Sequence, residues 1–270
     1  MPEVYAIGDI HGHYEQMLRL LHRARLIGDD HTWTGADSTL VFVGDYVDRG
    51  PDGFAAVDFI MRLEQQAAAA GGEIVALLGN HDALIVAVDR FGSLPVRGQR
   101  LTFLQDWRSV GGVEADREQF TDAHYTWLAQ RPAMAQVGAR LFIHADALFY
   151  AEYGTSVEMV NRHIADLLAG SDSRAWTRLL DQFAARRAFS NRDRLGRAHP
   201  DGVTRAQTFL RLFGGRQIVH GHTPIPVFAG MEPETVSAPV VYAENLCVNI
   251  DAGLYMGSPG FVCRLPAAQS

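Results

Sequence analysis

Six short apolar segments, each followed directly by glycine or a polar residue, constrain the fold of this chain more than any other feature. Short apolar runs with such boundaries predict buried β-strands. In sheets built from them, ligand-binding groups gather beyond the carboxyl ends of the strands. The segments are residues 4–7, 40–43, 74–78, 141–143, 218–219 and 248–250.

Segments with the apolar spacing of helices lie between these strands. Strands that alternate with helices indicate an α/β (α+β) arrangement, and no internal repeat or linker divides the chain. We therefore expect a single domain over residues 1–270, with helical insertions around 83–135 and 155–213 and with polar loops at 190–202 and 229–240. The predicted helices cover residues 14–24, 54–70, 101–107, 119–130, 156–168, 174–186 and 204–213.

The composition excludes several classes of function. The chain is 47% hydrophobic and carries a formal net charge of -7, which argues against stable binding to nucleic acid. It has neither a segment that is apolar for the roughly 18 residues of a membrane span nor a secretory signal, so we expect a cytoplasmic protein without a membrane partner. All 24 basic residues are arginine, which excludes Schiff-base lysines and the phosphate-loop lysine of Walker-type NTPases.

The first polar motif follows the first predicted strand. Residues 8–12 (GDIHG) place a glycine at the turn and then project Asp9 and His11 two positions apart. A carboxylate beside an imidazole suits a divalent transition metal of intermediate hardness. The motif is short enough to occur by chance, so it gains weight only from the motifs that follow it.

The second motif, residues 44–51 (GDYVDRGP), places Asp45 at the equivalent position after the second strand. A carboxylate between two metal ions can bridge them. Asp48 and Arg49 follow and are expected to face the same cleft. An arginine guanidinium offers the planar fork of donors that best matches phosphate oxygens.

The third motif, residues 79–82 (GNHD), adds an amide and a second imidazole. Asn80 can complete a metal site without adding charge, and His81 is available as an acid or base near neutral pH. A buried carboxylate such as that of Asp48 could hold the His81 ring. Asn80 or Asp82 is also suited to cap the helix that begins here.

Two further histidines follow apolar runs later in the chain. His144 comes after residues 141–143, and His222 follows the run at 218–219. A single histidine at the end of a strand is more often structural than a ligand. Two of them, in a chain with three Asp, His and Asn motifs, favour the metal-binding interpretation.

In order and spacing, these motifs resemble those of the calcineurin-like metallophosphoesterase superfamily. They are most similar to the phosphoprotein phosphatase (PPP-like) branch, with its GDxHG, GDxVDRG and GNH motifs, and the resemblance extends over residues 8–253. It implies a four-layer metallophosphoesterase fold, in which helices flank a central β-sandwich. It also implies two divalent metal ions, for which we expect Mn²⁺, with Fe or Zn as alternatives.

The resemblance also assigns ligands, residue by residue. The first ion would be held by Asp9, His11 and Asp45. The second ion would be held by Asp45, Asn80, His144 and His222.

Catalytic groups are implied in the same way. Arg49 would bind phosphate, and His81 with Asp48 would form the acid pair. The family adds a second phosphate-binding arginine shortly before the last histidine, for which Arg187 and Arg192 are both candidates.

The chain departs from the family pattern at three positions. Asp146 stands two residues after His144, within a segment that usually has glycine after the histidine, and the resemblance gives it no role. His220 matches no ligand position in this branch, and we interpret it as a residue that supports the site. Asp251 matches a recurrent family segment and is also expected to support the site.

The resemblance implies a phosphomonoesterase that attacks phosphorus with a hydroxide bridging the two ions. The expected activity is that of a bacterial-type serine/threonine protein phosphatase, acting on a phosphorylated protein or a small phosphoester. The alternative is a diadenosine tetraphosphatase or related nucleotide phosphohydrolase, whose branch shares GNHD but usually has alanine where Asp48 stands. A non-catalytic scaffold would have lost ligands, whereas all six positions are filled here.

Overall fold

Two β-sheets form the centre of the computed structural model, which describes residues 2–96, 98, 100–192, 197 and 200–266. The first sheet has the strand order β3-β2-β1-β9, and the second has the order β4-β5-β6-β8-β7. The strands are β1 (Val4–Ile7), β2 (Thr39–Phe42), β3 (Glu73–Ala76), β4 (Met134–Val137), β5 (Arg140–Ile143), β6 (Gln217–His220), β7 (Val240–Tyr242), β8 (Cys247–Asn249) and β9 (Cys263–Leu265).

Helices cover both sheets and fill the two long connections. Among the residues that the structure describes, four helices lie between β3 and β4, and four lie between β5 and β6. The helices are α1 (Tyr14–Arg23), α2 (Gly53–Ala69), α3 (Asn80–Phe91), α4 (Phe103–Ser109), α5 (Glu114–Gln119), α6 (Asp122–Ala129), α7 (Tyr150–Tyr153), α8 (Val157–Ala169), α9 (Ser173–Phe183), α10 (Gly202–Phe213) and α11 (Ile225–Ala229).

The apolar strands are buried on both faces. Val41 belongs to a cluster between the two sheets, whereas its neighbours Leu40 and Phe42 pack into the core beneath the helices. Successive side chains of a strand point to opposite faces, so a strand buried on both sides has a continuous apolar sequence. The predicted sandwich flanked by helices is therefore confirmed, whereas the division into one domain stays a prediction.

Most predicted elements agree with the structure to within a few residues, but two helices differ. The helix predicted over 119–130 is wrong at its start, because Thr121 accepts a hydrogen bond from the backbone N–H of His124 and so caps α6. The helix predicted over 174–186 ends at Phe183 instead. Part of the loop predicted at 190–202 lies outside the described residues. None of the described helices is both long and apolar enough to cross a bilayer.

Candidate active site

The carboxyl ends of six strands meet at one edge of the sandwich. β1 and β2 run parallel, with Ile7 opposite Phe42, while β5, β6 and β8 run parallel in the second sheet. Parallel strands end on the same side, so the polar residues that follow them converge. These residues are Asp9, Asp45, Asn80, His144, His222 and Asp251.

Asp45 lies between two groups of metal-binding atoms. One group joins it to His11 and His81, the other joins it to His144 and His222, and the ligand atoms of each group lie within 4.8 Å of one another. Asp45 Oδ2 is 3.4 Å from His11 Nε2, and Oδ1 is 3.4 Å from His144 Nε2. One carboxylate thus contributes a different oxygen to each group, which is the arrangement of a bridging ligand.

Backbone carbonyls fix the ring orientation of two of these histidines. His11 Nδ1 is 3.0 Å from the carbonyl oxygen of Val47, and His144 Nδ1 is 2.9 Å from that of Val43. A carbonyl only accepts, so Nδ1 carries the hydrogen in each ring and Nε2 is left with its lone pair facing the site. This is the usual orientation of a metal-binding imidazole.

Asn80 joins the second group through its side-chain oxygen. Asn80 Oδ1 lies 3.0 Å from His144 Nε2 and 2.8 Å from His222 Nδ1. Three ligand atoms, from α3 and from the segments that follow β5 and β6, thus surround one position beside Asp45.

Asp9 reaches the site from the end of β1 but is not part of either close group. Both of its carboxylate oxygens accept the backbone N–H of His222 at 3.1 Å. Burial raises the pKa of Asp9 well above its usual value, and the nearby carboxylates of Asp251 and Asp45 raise it further. The role of Asp9 as a ligand of the first ion stays a prediction.

The site has the charge and donor pattern of a metal centre. Asp9, Asp45 and Asp251 bring three buried carboxylates together, an arrangement that is costly without a compensating cation. Among the described residues, His222 Nε2 and Asp251 Oδ2 are buried without a hydrogen-bond partner. Burial lowers the pKa of His11, His144 and His222 and so favours the neutral imidazoles that bind metals. These donors fit divalent ions.

Several residues of the site also have a strained backbone. Five site residues that are not glycine have φ between 45° and 68°, a region that costs on the order of 1–3 kcal/mol per residue. Conformations of this kind persist only where the surrounding structure holds them. The residues are His11, Asp45, Asp48, Arg49 and His222.

Asp82 holds the turn that carries Asp45. Its carboxylate accepts the backbone N–H groups of Asp45 at 2.7 Å, Tyr46 at 2.9 Å and Gly79 at 2.9 Å. Gly79 is required here, since a Cβ at this position would lie 2.2 Å from Asp45 Oδ1. The sequence suggested a helix-capping role for Asp82, but did not indicate that it fixes the second motif.

His81 and Asp48 form a buried pair beside the first group. His81 Nδ1 is 2.7 Å from Asp48 Oδ2, and the Trp107 indole N–H donates to Asp48 Oδ1 at 2.8 Å. Since Asp48 accepts at Nδ1, the hydrogen of the neutral ring lies there, and Nε2 accepts from Arg49 Nη2 at 2.9 Å. The imidazole is thus oriented by a carboxylate on one side and faces the cleft on the other.

Tyr255 supports Arg49 on its other side. The Arg49 guanidinium carbon lies 4.2 Å from the centre of the Tyr255 ring, within the range of a cation–π contact. The same ring meets His11 edge-on, with ring centres 5.2 Å apart. Tyr255 had no motif signal in the sequence, and only the fold brings it to the site.

Arg186, Arg187 and Arg192, which follow α9, differ in their surroundings. Arg187 is buried, its guanidinium donates to the Val227 carbonyl at 2.5 Å, and it lies 5.0 Å from the Phe228 ring centre. Arg192 is exposed. Arg186 is half-buried, and its charge lowers the pKa of Asp251, after the larger effect of burial, which raises that pKa to about 7. Arg186, which carries no motif signal in the sequence, is thus close enough for its charge to influence Asp251.

Asp146 and His220 lie behind the ligands. Asp146 accepts the Thr223 hydroxyl and the backbone N–H of Arg187, both at 2.8 Å. Asp146 therefore connects the segment that follows His144 to Thr223, which is next to His222, and to Arg187, which is next to Arg186. His220 Nε2 is 2.8 Å from the Tyr242 hydroxyl, so this ring faces away from both groups of ligands.

Comparison with known protein families gives a match that covers most residues of this site. The model for calcineurin-like phosphoesterases matches residues 2–226, which include every residue assigned to the two ions. The chain belongs to the calcineurin-like phosphoesterase family. Family membership implies divalent metal ions, in agreement with the two ligand groups.

Two kinds of named protein are among the relatives of this chain. Shewanella-like protein phosphatase 2 of Arabidopsis thaliana is 34% identical over 107 residues, which are 39% of this chain and 27% of that protein. The symmetrical bis(5'-nucleosyl)-tetraphosphatase of Neisseria meningitidis is 31% identical over 144 residues, 53% of this chain and 43% of that enzyme. The chain spans only about a quarter of the length of the first curated relatives that it matches.

Solved structures support the fold of this calcineurin-like phosphoesterase. The cold-active protein-tyrosine phosphatase of a Shewanella species superposes with a TM-score of 0.70 at 20% identity, over 97% of this chain and 74% of that one. A protein serine/threonine phosphatase from Saccharomyces cerevisiae gives a TM-score of 0.58 at 16% identity. That match covers 100% of this chain and 76% of the yeast chain. At these identities the likeness concerns the fold.

Proposed function

We propose that this chain is a metal-dependent phosphomonoesterase that removes phosphate from phosphoserine or phosphothreonine in proteins. The observation that carries the proposal is the Asp48–His81 pair, 2.7 Å apart and buried beside two groups of metal ligands. An oriented imidazole next to a metal centre suits the protonation of a poor alkoxide leaving group. A chain without that pair would be restricted to better leaving groups.

His11, Asp45, Asn80, His144 and His222 would hold two divalent ions, and Asp9 would complete the first site. Divalent ions in such a site lower the pKa of a water and neutralise charge on the phosphoryl oxygens. Mn²⁺ is our proposal for the native ion, because Asp, His and Asn ligands suit it; Fe and Zn accept the same donors.

The side chains of the protein bind and orient the phosphate. Arg49 would turn its guanidinium from His81 Nε2 towards the phosphoryl oxygens while Tyr255 keeps its position. Its departure frees His81 Nε2, which would take up a proton to form the imidazolium and then give that proton to the leaving oxygen. Asp48 stabilises the imidazolium before that transfer and orients the ring throughout.

Arg186 is our proposal for the second phosphate-binding arginine. Arg186→Ala is expected to raise the inhibition constant of inorganic phosphate about tenfold or more, because a hydrogen bond to a charged group contributes about 1.5–3 kcal/mol. The measurement is phosphate inhibition of p-nitrophenyl phosphate hydrolysis by the Mn²⁺-loaded enzyme.

Arg187→Ala is the matched comparison for this prediction. The Arg187 guanidinium is engaged with the Val227 carbonyl and the Phe228 ring. This variant should lose thermal stability while its phosphate inhibition constant stays near that of the wild type. The reverse pattern, with Arg187 controlling phosphate affinity, would show that the assignment to Arg186 is wrong.

A second candidate function is hydrolysis of a dinucleoside tetraphosphate. The observation in its favour is the relative from Neisseria meningitidis, whose match covers 53% of this chain, against 39% for the phosphatase of Arabidopsis thaliana. Asp48 argues against it, because the family pattern of that branch usually has alanine at this position.

The deciding experiment compares both substrates under the same conditions. Protein stripped of metal and reloaded with Mn²⁺ is assayed on a phosphothreonine peptide and on diadenosine tetraphosphate. Peptide turnover at a kcat/KM well above that for the dinucleotide supports the protein phosphatase. The opposite ratio would show that the protein is a nucleotide phosphohydrolase. The absence of turnover of both substrates and of p-nitrophenyl phosphate would support a non-catalytic scaffold.

A further inference from the structure

The loop that carries Asp48 and Arg49 has a backbone that needs support. Both residues are in the left-handed region, with φ of 68° and 65°, and neither is a glycine or an asparagine. Such a conformation persists only where surrounding contacts hold it. The contacts that hold this loop therefore determine where the Asp48 carboxylate and the Arg49 guanidinium lie.

The support comes from the helical insertion between β3 and β4, about 60 residues further along the chain. Trp107 of α4 donates its indole N–H to Asp48 Oδ1 at 2.8 Å, and the Gly111 carbonyl accepts the backbone N–H of Arg49 at 2.9 Å. The insertion thus contacts the side chain of Asp48 and the backbone of Arg49.

Asp116 of α5 makes the central contacts. Its Oδ2 accepts the backbone N–H of Asp48 at 2.7 Å, and its Oδ1 accepts the backbone N–H of Gly53 at 3.2 Å. The two acceptors therefore fix the beginning and the end of the loop at residues 48–53. A Cβ at position 53 would lie 2.6 Å from both carboxylate oxygens, so the backbone approaches Asp116 as closely as glycine allows.

This carboxylate is costly to keep in place. Asp116 is fully buried, and burial raises its pKa to about 6. An alanine or a leucine would suit the interior of a helix better if the residue only had to pack. The carboxylate is needed because two backbone N–H groups would otherwise lose their acceptor.

We propose that Asp116 is a positioning residue that holds the Asp48–Arg49 loop in its catalytic geometry. This inference rests on the proposed function, because it assigns Asp116 a role through the acid pair and the phosphate-binding arginine. The hydrogen bonds of Asp116 go to the backbone of Asp48 and Gly53 and not to the ligand groups, so we expect metal binding not to depend on it.

The first test is Asp116→Asn, an isosteric change that leaves one acceptor oxygen and turns an NH₂ group towards the second N–H. We expect kcat on a phosphothreonine peptide to fall about 10- to 100-fold, since small displacements of catalytic groups have effects of this size. The loss on p-nitrophenyl phosphate should be clearly smaller. The phosphate inhibition constant should rise, and the Mn²⁺ content should stay at the wild-type value.

The matched control is Glu118→Gln on the same helix, where the side chain is exposed. It removes a negative charge two residues away from Asp116. The kcat values on the peptide and on p-nitrophenyl phosphate, the phosphate inhibition constant and the Mn²⁺ content should all stay at their wild-type values. A second variant, Gly53→Ala, places a methyl group against the Asp116 oxygens without altering its charge, and it should reproduce the selective loss. It keeps the inference testable if Asp116→Asn fails to fold.

A double variant separates positioning from simple stabilisation. In a His81→Ala background, Asp116→Asn should cause a clearly smaller further loss of kcat on the peptide, because the acid that it helps to position is already absent. The phosphate inhibition constant should still rise, because Arg49 remains. Equal losses in both backgrounds, or wild-type kinetics with only a lower Tm, would overturn the inference and leave Asp116 a structural residue. Failure of the proposed function looks different, because the wild-type protein and the Glu118→Gln control would then show no metal-dependent turnover at all.

Discussion

Asp45→Asn is expected to lower kcat on any phosphomonoester by about 1000-fold or more. Asp45 contributes one carboxylate oxygen to each of the two ligand groups, 3.4 Å from His11 Nε2 and 3.4 Å from His144 Nε2. An amide supplies neither the charge nor the second anionic oxygen that a bridging ligand needs. A metal centre contributes several kcal/mol to transition-state stabilisation, and each 1.4 kcal/mol is about tenfold in rate.

The measurement combines turnover with elemental analysis after chelation and reloading with Mn²⁺. The variant should bind fewer ions per chain than the wild-type protein under the same conditions. Asp37→Asn is the matched control, because this exposed aspartate lies just before β2 whereas Asp45 lies just after it. If Asp45→Asn keeps both its ions and its turnover, the assignment of the bridging carboxylate is wrong.

His81→Ala should produce a loss that depends on the leaving group. On a phosphothreonine peptide, whose alkoxide needs a proton, we expect kcat to fall about 10²- to 10⁴-fold, the range typical of a general acid. On p-nitrophenyl phosphate the loss should be much smaller, because nitrophenolate leaves without protonation at neutral pH. Asp48→Asn should follow the same pattern, since Asp48 lies 2.7 Å from His81 Nδ1.

The control for this series is His163→Ala, which removes an exposed imidazole on α8. It should leave turnover of both substrates unchanged. Comparable losses for His81→Ala on the peptide and on p-nitrophenyl phosphate would contradict the acid role and would instead suggest that His81 supports the ligand group of His11 and Asp45.

The strand ends could be located from the sequence because their signals are local. In each case an apolar run predicts the strand, and the glycine and aspartate that follow it directly, Asp9 or Asp45, mark its end. A few neighbouring residues are therefore enough to predict both the strand and the polar group that follows it. The parallel pairing of β1 with β2, and of β5 with β6, then brings those ends to one edge. Asp48 and His81 were also identified in this way, and the fold places them in contact.

The end of α9 could not be predicted in the same manner. Ala184 and Ala185 favour continuation of the helix, and the pattern therefore predicted a helix to residue 186. In the structure the backbone N–H of Arg187 donates to Asp146, where a longer helix would have given it the carbonyl of Phe183. The helix has already left its regular hydrogen-bond pattern at Ala185, whose N–H donates to the Gln182 carbonyl, and the contact of Arg187 with Asp146, 41 residues away, holds the segment that follows.

By itself, the sequence determined the α/β class and the strand ends and predicted which side chains bind metal and act as the acid, because each depends on residues that are neighbours in the chain. Only the tertiary structure determined which groups support them. Trp107 and Asp116 reach the Asp48 loop from 59 and 68 residues away, and Tyr255 reaches Arg49 from the other end of the chain. Such contacts leave no periodic pattern in the sequence, since their partners are brought together only when the two sheets and the helical insertion pack against one another.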